Sequence, residues 1–175
     1  MLFEDFLAPL SYPALRAVAA HWNEARGSRA MPGWAQIQPA RIAPHLPQIW
    51  VFKYDRANGE FTGRLAGEWI ARWRRDFRGT RLQDIHPAHV FPAIRDCMLR
   101  VIEGPCASIS DGMLFRQRER FAMGQRLVLP LATDGVHADG VLGVSEYAYP
   151  LADPGYAPVE LVVGDETWFS LAPAA

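Results

Sequence analysis

The sequence predicts an α+β domain: an antiparallel sheet with small helices over one face and an amphipathic helix N-terminal to it. Three observations carry that prediction. Two strand-like stretches, 48–54 and 61–66, flank Asn58-Gly59, a strong hairpin signal. Helical patterning is confined to the chain before this hairpin and just after it. From Ala107 to Tyr147 the chain reads as three strands joined by turns. Adjacent strands, a helical crossover and then an antiparallel run describe an α+β sheet and exclude a doubly wound one.

Residues 1–10 read as a loose arm or a short helical turn. From Ser11 to Arg26, Tyr12, Leu15, Val18, Ala19 and Trp22 recur at helical spacing. Ser11 is placed to cap this helix, Pro13 suits its first turn and Gly27 supplies a stop. Pro32, Pro39, Pro44 and Pro47 then exclude long regular structure and leave a helical turn at Pro39–Leu46. In the strand Gln48–Tyr54, Ile49 and Val51 point one way and Trp50, Phe52 and Tyr54 the other. Both faces of the sheet are therefore covered.

After the second strand, Phe61–Ala66, a short helix over Glu68–Phe77 sets Trp69 and Trp73 one turn apart beside Ile70, and Gly79 ends it. Leu82 and Ile85 anchor a further turn, and His86-Pro87 make a corner. His89–Glu103 is the clearest helix, with Val90, Ile94, Cys97, Met98 and Val101 along one stripe and Gly104-Pro105 as terminator. The later strands are Ala107–Phe115, Phe121–Leu131 and Val141–Tyr147. Phe121, Met123, Leu127, Leu129 and Leu131 share one face by period two, and Pro130 marks an edge or an irregularity. Beyond a Pro150–Pro158 loop, Val159–Val163 adds a sixth strand, and the tail from Leu171 is frayed.

The length of 175 residues fits one domain, divided into a helix over 11–26, a core over 48–147 and a C-terminal extension over 148–175. Half the residues are hydrophobic, 11% are aromatic and six are tryptophan, enough for a substantial core. The net charge of -1 argues against a general binder of nucleic acid or anionic membrane. Cys97 and Cys106 have neither a disulfide pattern nor metal-ligand spacing, and Cys97 falls on an apolar stripe as a reduced thiol. MLFEDFLAPL carries acids where a signal peptide carries bases, and no apolar run approaches the ~20 residues that span a bilayer. A soluble, cytoplasmic protein is expected.

A pocket under the helices would be lined by Arg64, Trp69, Trp73, Ile94, Met98, Met113, Phe115, Leu127 and Leu129; the same residues also suit a filled core. Arg64, inside an apolar strand, reads as a half-buried cation that needs a carboxylate, a carbonyl or a ligand anion. Arg72, Arg74, Arg75, Arg78 and Arg81 form either an anion or acidic-partner site or a solvated helix face. Catalysis has little support. Ser108, Ser110 and Asp111 lack a nucleophile elbow, Gly63, Gly67 and Gly79 form no phosphate loop, and no cluster has metal-ligand spacing. His86 or His89 with Asp84 is the one acid/base candidate near the pocket, while His21, His45 and His137 read as surface or loop residues.

Trp22 with Arg26-Gly27, Met31-Pro32, Ile37-Gln38-Pro39, Leu46-Pro47 and Phe61 begin a series that continues through Arg64-Leu65-Ala66-Gly67, Asp76, Gly79 and Leu82. Leu129-Pro130-Leu131 and Asp134-Gly135 complete it. This series, over roughly residues 12–147, resembles the PAS fold, and more narrowly the stand-alone PAS-like proteins of alphaproteobacteria. The resemblance implies a five-stranded antiparallel sheet, six with the C-terminal strand, enclosing a pocket for a small molecule or cofactor. It implies a non-enzymatic sensory or regulatory role with a small molecule, a signalling protein or both as partner, and a homodimer through residues 11–26. No kinase, cyclase or DNA-binding segment is attached, so output is expected through a partner or a change of oligomer.

A flavin photosensor of this kind needs a reactive cysteine after the second strand, and residues 67–79 contain none. A haem sensor needs an axial histidine, for which His86 and His89 are the candidates. The expectation is therefore no cofactor. A ligand-free interaction module, a haem sensor and a small α+β enzyme are the alternatives.

Overall fold

Alternation along the first strand sets the layers. In the computed structural model, which describes residues 3–74, 76–148 and 158–171, β1 (Ile49–Asp55) buries its first four residues in a row. Both faces of the sheet are covered there, as the sequence predicts. β2 (Glu60–Ala66) pairs antiparallel with β1 across the Asn58-Gly59 turn. The Asp55 carboxylate accepts the N–H of Ala57 at 2.9 Å, and Gly59 takes φ 67°, a conformation open to glycine. Three longer strands follow, β3 (Cys106–Gln117), β4 (Arg120–Leu131) and β5 (Gly140–Ala148), and then β6 (Glu160–Leu161) and β7 (Glu166–Ser170). The order is β2-β1-β5-β4-β3-β6, and β7 pairs with β3 farther along the same edge.

Three strand expectations change. The sixth strand is only two residues long, and β7 was not foreseen, because Glu166–Ser170 shows no clean alternation. Pro130 does not mark an edge, since β4 lies between β5 and β3. It is tolerated because the β3 ladder stops at Ser108↔Val128, two residues earlier, while its own carbonyl accepts a side-chain donor. The Pro150–Pro158 loop and the tail beyond Leu171 lie outside the described residues, except for Pro158.

On the outer face, α1 (Phe3–Leu7) and α2 (Pro13–Arg26) lie against the sheet. Residues 1–10 are thus not simply loose: Phe6 and Leu10 are buried, and Phe6 meets Phe169 edge-on at 5.2 Å. α2 buries Ala14, Leu15, Val18, Ala19, His21 and Trp22. Trp22 Nε1 donates to the Pro130 carbonyl at 2.8 Å, and the Ala14 N–H reaches the Glu146 carboxylate at 3.1 Å. Ser11 does not cap this helix; Tyr12 holds the cap position, and the Ser11 N–H goes to Gln125 Oε1 at 2.7 Å. His21, expected at the surface, is buried, with Nε2 accepting the Gln38 N–H at 2.9 Å. A 3-10 turn at Trp34–Gln36 and proline-rich 3-10 turns over Pro39–Gln48 lead back to β1.

On the inner face lie α3 (Glu68–Arg74), α4 (Leu82–Ile85) and α5 (Phe91–Glu103). α3 stops short of the predicted Phe77 because the chain there turns to run along β2. The Gly63 N–H donates to Thr80 O at 2.9 Å, and the Gly79 N–H donates to Gly63 O at 2.8 Å. A side chain at Gly63 would meet Phe77, its carbonyl at 2.3 Å and its ring at 2.5 Å. Bare backbone at Gly63 therefore lets Phe77 enter the core.

Candidate ligand chamber

Period-two alternation turns Trp50 and Phe52 of β1, Phe115 of β3 and Ser145 of β5 toward the inner helices. Ile70 of α3, Phe77, Ile85 of α4, His86, Met98 of α5 and Leu161 of β6 close the space above them. The cavity they enclose is about 40 Å³, while about 10–15 Å³ admits one water. Its walls are in firm contact. Phe52 and Phe77 stack at 5.0 Å and 17°, and Trp50 meets Phe52 edge-on at 6.0 Å. Trp50 Nε1 donates to Ser145 Oγ at 3.1 Å. Among the described residues, only His86 and Ser145 bring polar side chains other than the Trp50 indole N–H to this lining.

Trp50, Met98 and Leu161 also form one wall of a second cavity of about 20 Å³, completed by Ile94, Cys97, Arg126, Val128, Val163 and Glu166. This end is polar. Arg126 is only 4% exposed; it donates to the carbonyls of Leu114 at 3.1 Å and Val162 at 3.2 Å, and its guanidinium lies 5.5 Å from the Phe115 ring centre. The Cys97 thiol meets both Glu166 oxygens at 3.2 and 3.1 Å, and Ser110 Oγ donates to Glu166 at 3.3 Å. Burial first, then the neighbouring Glu166 charge, pushes the Cys97 thiol up to about 12, so it is a neutral donor.

Of the residues the sequence singled out, Met98 and Phe115 line the first cavity and Ile94 the second. Leu127 and Leu129 are fully buried but on the other face. They alternate in phase with Gln125, whose side-chain amide contacts Pro9 and Ser11, and so lie on the outer side that carries the N-terminal helices. Phe121 and Met123 share that face but are exposed, and Met113, paired with Met123, is 37% exposed. Trp69 is 40% exposed and meets Tyr147 edge-on instead of entering the pocket. The side chain of Trp73 lies outside the described ones.

Arg64 is exposed, not half-buried, and its guanidinium sits 5.4 Å from the Trp34 ring centre. The arginine cluster reads as a solvated face: Arg78 pairs with Asp76 and Arg81 with Asp84 and Glu60, all exposed or nearly so. Arg72 is also exposed; the Arg74 side chain and Arg75 lie outside the description. Asp84 is held by Arg81, and exposed His89 stands 3.7 Å from Glu160, so neither converges with buried His86 on an acid/base site.

Reasoning from sequence missed Trp50, Phe52, Phe77, Ile85, Leu161, Arg126 and Glu166 as lining residues. Two signals were present: the Trp50/Phe52 phase on β1, and a lone arginine within the apolar run of β4. Among the described residues, no group of three or more His, Cys, Asp or Glu side chains is placed to hold a metal, and no helix is long and apolar enough to cross a membrane.

An antiparallel sheet with short helices closing an apolar space on its inner face defines an α+β domain of the pocket-bearing kind. The family model described as PAS domain matches residues 10–146, and the chain belongs to that family. PAS domains are generally non-enzymatic sensory modules. The match ends before β6 and β7. No curated protein and no solved structure matches the chain.

Proposed function

We propose that this domain is a non-enzymatic sensory or regulatory module in signal transduction, which takes a small apolar or amphipathic ligand into the inner chamber and relays its presence through α2. The chamber is the observation that carries this reading: its walls are aromatic and aliphatic, and His86 and Ser145 bring polar atoms to them. β5 supplies the coupling. Ser145 faces the chamber, and the next residue, Glu146, accepts the Ala14 N–H of α2 at 3.1 Å. A ligand that prefers one arrangement of β5 shifts α2 by its differential affinity for the two.

The narrower parts of the reading follow the resemblance to stand-alone alphaproteobacterial PAS proteins: a cytoplasmic location, an output partner protein and a homodimer through residues 11–26. Because the apolar stripe of α2 is spent on its own sheet, such a dimer would use the exposed side of the helix, where Arg16, Ala20 and Glu24 lie. The reading needs no cofactor.

Native mass spectrometry of purified protein, with unbiased identification of released small molecules, tests it. The expected result is a retained apolar or amphipathic compound that is lost in Met98→Trp, where the chamber is filled. Retention unaffected by that substitution contradicts the assignment. The small size of the chamber favours a second reading, a ligand-free interaction module with a filled core, which predicts no retained compound and undiminished partner binding in Met98→Trp.

A further inference from the structure

The C-terminal strands add something that the PAS match does not cover. β7 lies on the β3 edge and sends Glu166 inward, onto Cys97 and Ser110. Ser108, fully buried, points to the same cluster, and the Arg126 guanidinium lines the same cavity. Hydroxyl and thiol groups are donors suited to one carboxylate, and the Arg126 guanidinium, held by the carbonyls of Leu114 and Val162, adds a positive charge beside them. We propose that this polar end is a carboxylate subsite, filled in the structure by Glu166 of the same chain, and that a short-chain monocarboxylic acid binds by taking Glu166's place.

The idea rests on the ligand-chamber reading and gives it a chemical class. An entering carboxylate regains the donors that Glu166 gives up, and the site never holds two anions at once. Its tail has a defined route. Trp50, Met98 and Leu161 are shared walls of the polar cavity and the apolar chamber. Met98 is unbranched and adaptable, and a rotamer change there joins the two spaces. A second carboxylate on the ligand would meet an apolar lining in which, among the described residues, His86 and Ser145 are the polar members, which excludes dicarboxylates. Displacing Glu166 is also inexpensive in structural terms, because β7 is a five-residue edge strand. Ligand entry therefore unseats β7 and frees the edge of β3.

Glu166→Ala removes a fragment equivalent to acetate, so acetate is the direct probe. With a dissociation constant near 10 mM, roughly 0.1 M acetate shifts the folded-to-unfolded ratio about elevenfold and raises the melting midpoint of Glu166→Ala by about 3–5 °C. Acetamide and equimolar chloride should give no such shift. Glu166→Gln, whose amide still fills the place, should show none with acetate either. Equal shifts with acetate and acetamide, or an equal acetate shift in Glu166→Gln, overturn the subsite.

Should Glu166→Ala fail to fold, the wild-type chain supplies the decision. Butyrate should speed hydrogen exchange of the 166–170 amides about tenfold, and butyramide should leave it unchanged; exchange that is unchanged or slowed by butyrate refutes the proposal. If butyramide stabilises the wild type as well as butyrate does, the apolar chamber stands and only the carboxylate subsite falls.

Discussion

Gly143→Ala is the substitution that most directly probes the chamber wall. Gly143 pairs with Trp50 across β1 and β5, and the indole occupies the space that a side chain there would take. A Cβ there would stand 2.0 Å from Trp50 Cε2 and 2.1 Å from Cζ2. Carbon atoms rest at about 3.5–4.0 Å, so the ring must withdraw by about 1.5–2 Å, and the free space lies on the chamber side. Overpacking of this kind costs about 1–3 kcal/mol, and loss of the Trp50–Ser145 hydrogen bond about 1 kcal/mol more. The sum, about 2–4 kcal/mol, lowers the melting midpoint by about 5–15 °C for a domain of this size. Urea unfolding followed by far-UV circular dichroism measures the change. Ser145→Ala separates the two contributions, because it should lose only about 1 kcal/mol. A Gly143→Ala protein within about 0.5 kcal/mol of wild type refutes the reasoning.

Trp22→Phe removes the donor to Pro130 and leaves part of the ring volume empty; a loss of about 1–2 kcal/mol in urea unfolding is expected, and no loss would mean that α2 is not fastened there. The Asp134 carboxylate accepts the N–H groups of His137 and Val136 and adjoins the His137 ring, which together hold its pKa down to about 2 against an ordinary 3.8. Because the folded value is the lower one, the stability it contributes is present above the ordinary value and is lost as pH falls toward about 2. A carbon-detected NMR titration of Asp134 should show that low midpoint, and one near 3.8 contradicts the turn geometry. With its pKa pushed up to about 12, Cys97 is almost wholly protonated at pH 8. Its alkylation in the folded protein should run about a thousandfold slower than that of a free thiol. Reaction at the free-thiol rate would show that Cys97 is not buried beside Glu166 as the structure has it.

What could be read without coordinates was largely what repeats locally. The hairpin at Asn58-Gly59, the stripe of α2 and the Met98 face of α5 follow from spacing alone. The misplaced site residues share one cause, which is that a period says which residues share a face and not which face it is. Leu127 and Leu129 were correctly grouped with each other, yet their face lies under the N-terminal helices, and the inner side of β4 belongs to Arg126 and Val128. Trp69 and Arg64 were judged by residue type. Their placement is a tertiary outcome: Trp69 lies against Tyr147 of β5 and Arg64 over the Trp34 ring, contacts between segments distant in the chain.

The sequence by itself determined the α+β class, the order of the elements as far as β6 and the sheet covered on both faces, because propensity, turn chemistry and periodicity act over a few neighbouring residues. Only the tertiary structure decided the chamber. Its lining comes from β1, β3, β5, β6, α3, α4, α5 and the Phe77 and His86 segments, spread from Trp50 to Leu161. The contact of Glu166 with Cys97 joins positions 69 apart in the chain. No local pattern encodes such a meeting, because it depends on the phase and pairing of strands that become neighbours only when the sheet closes.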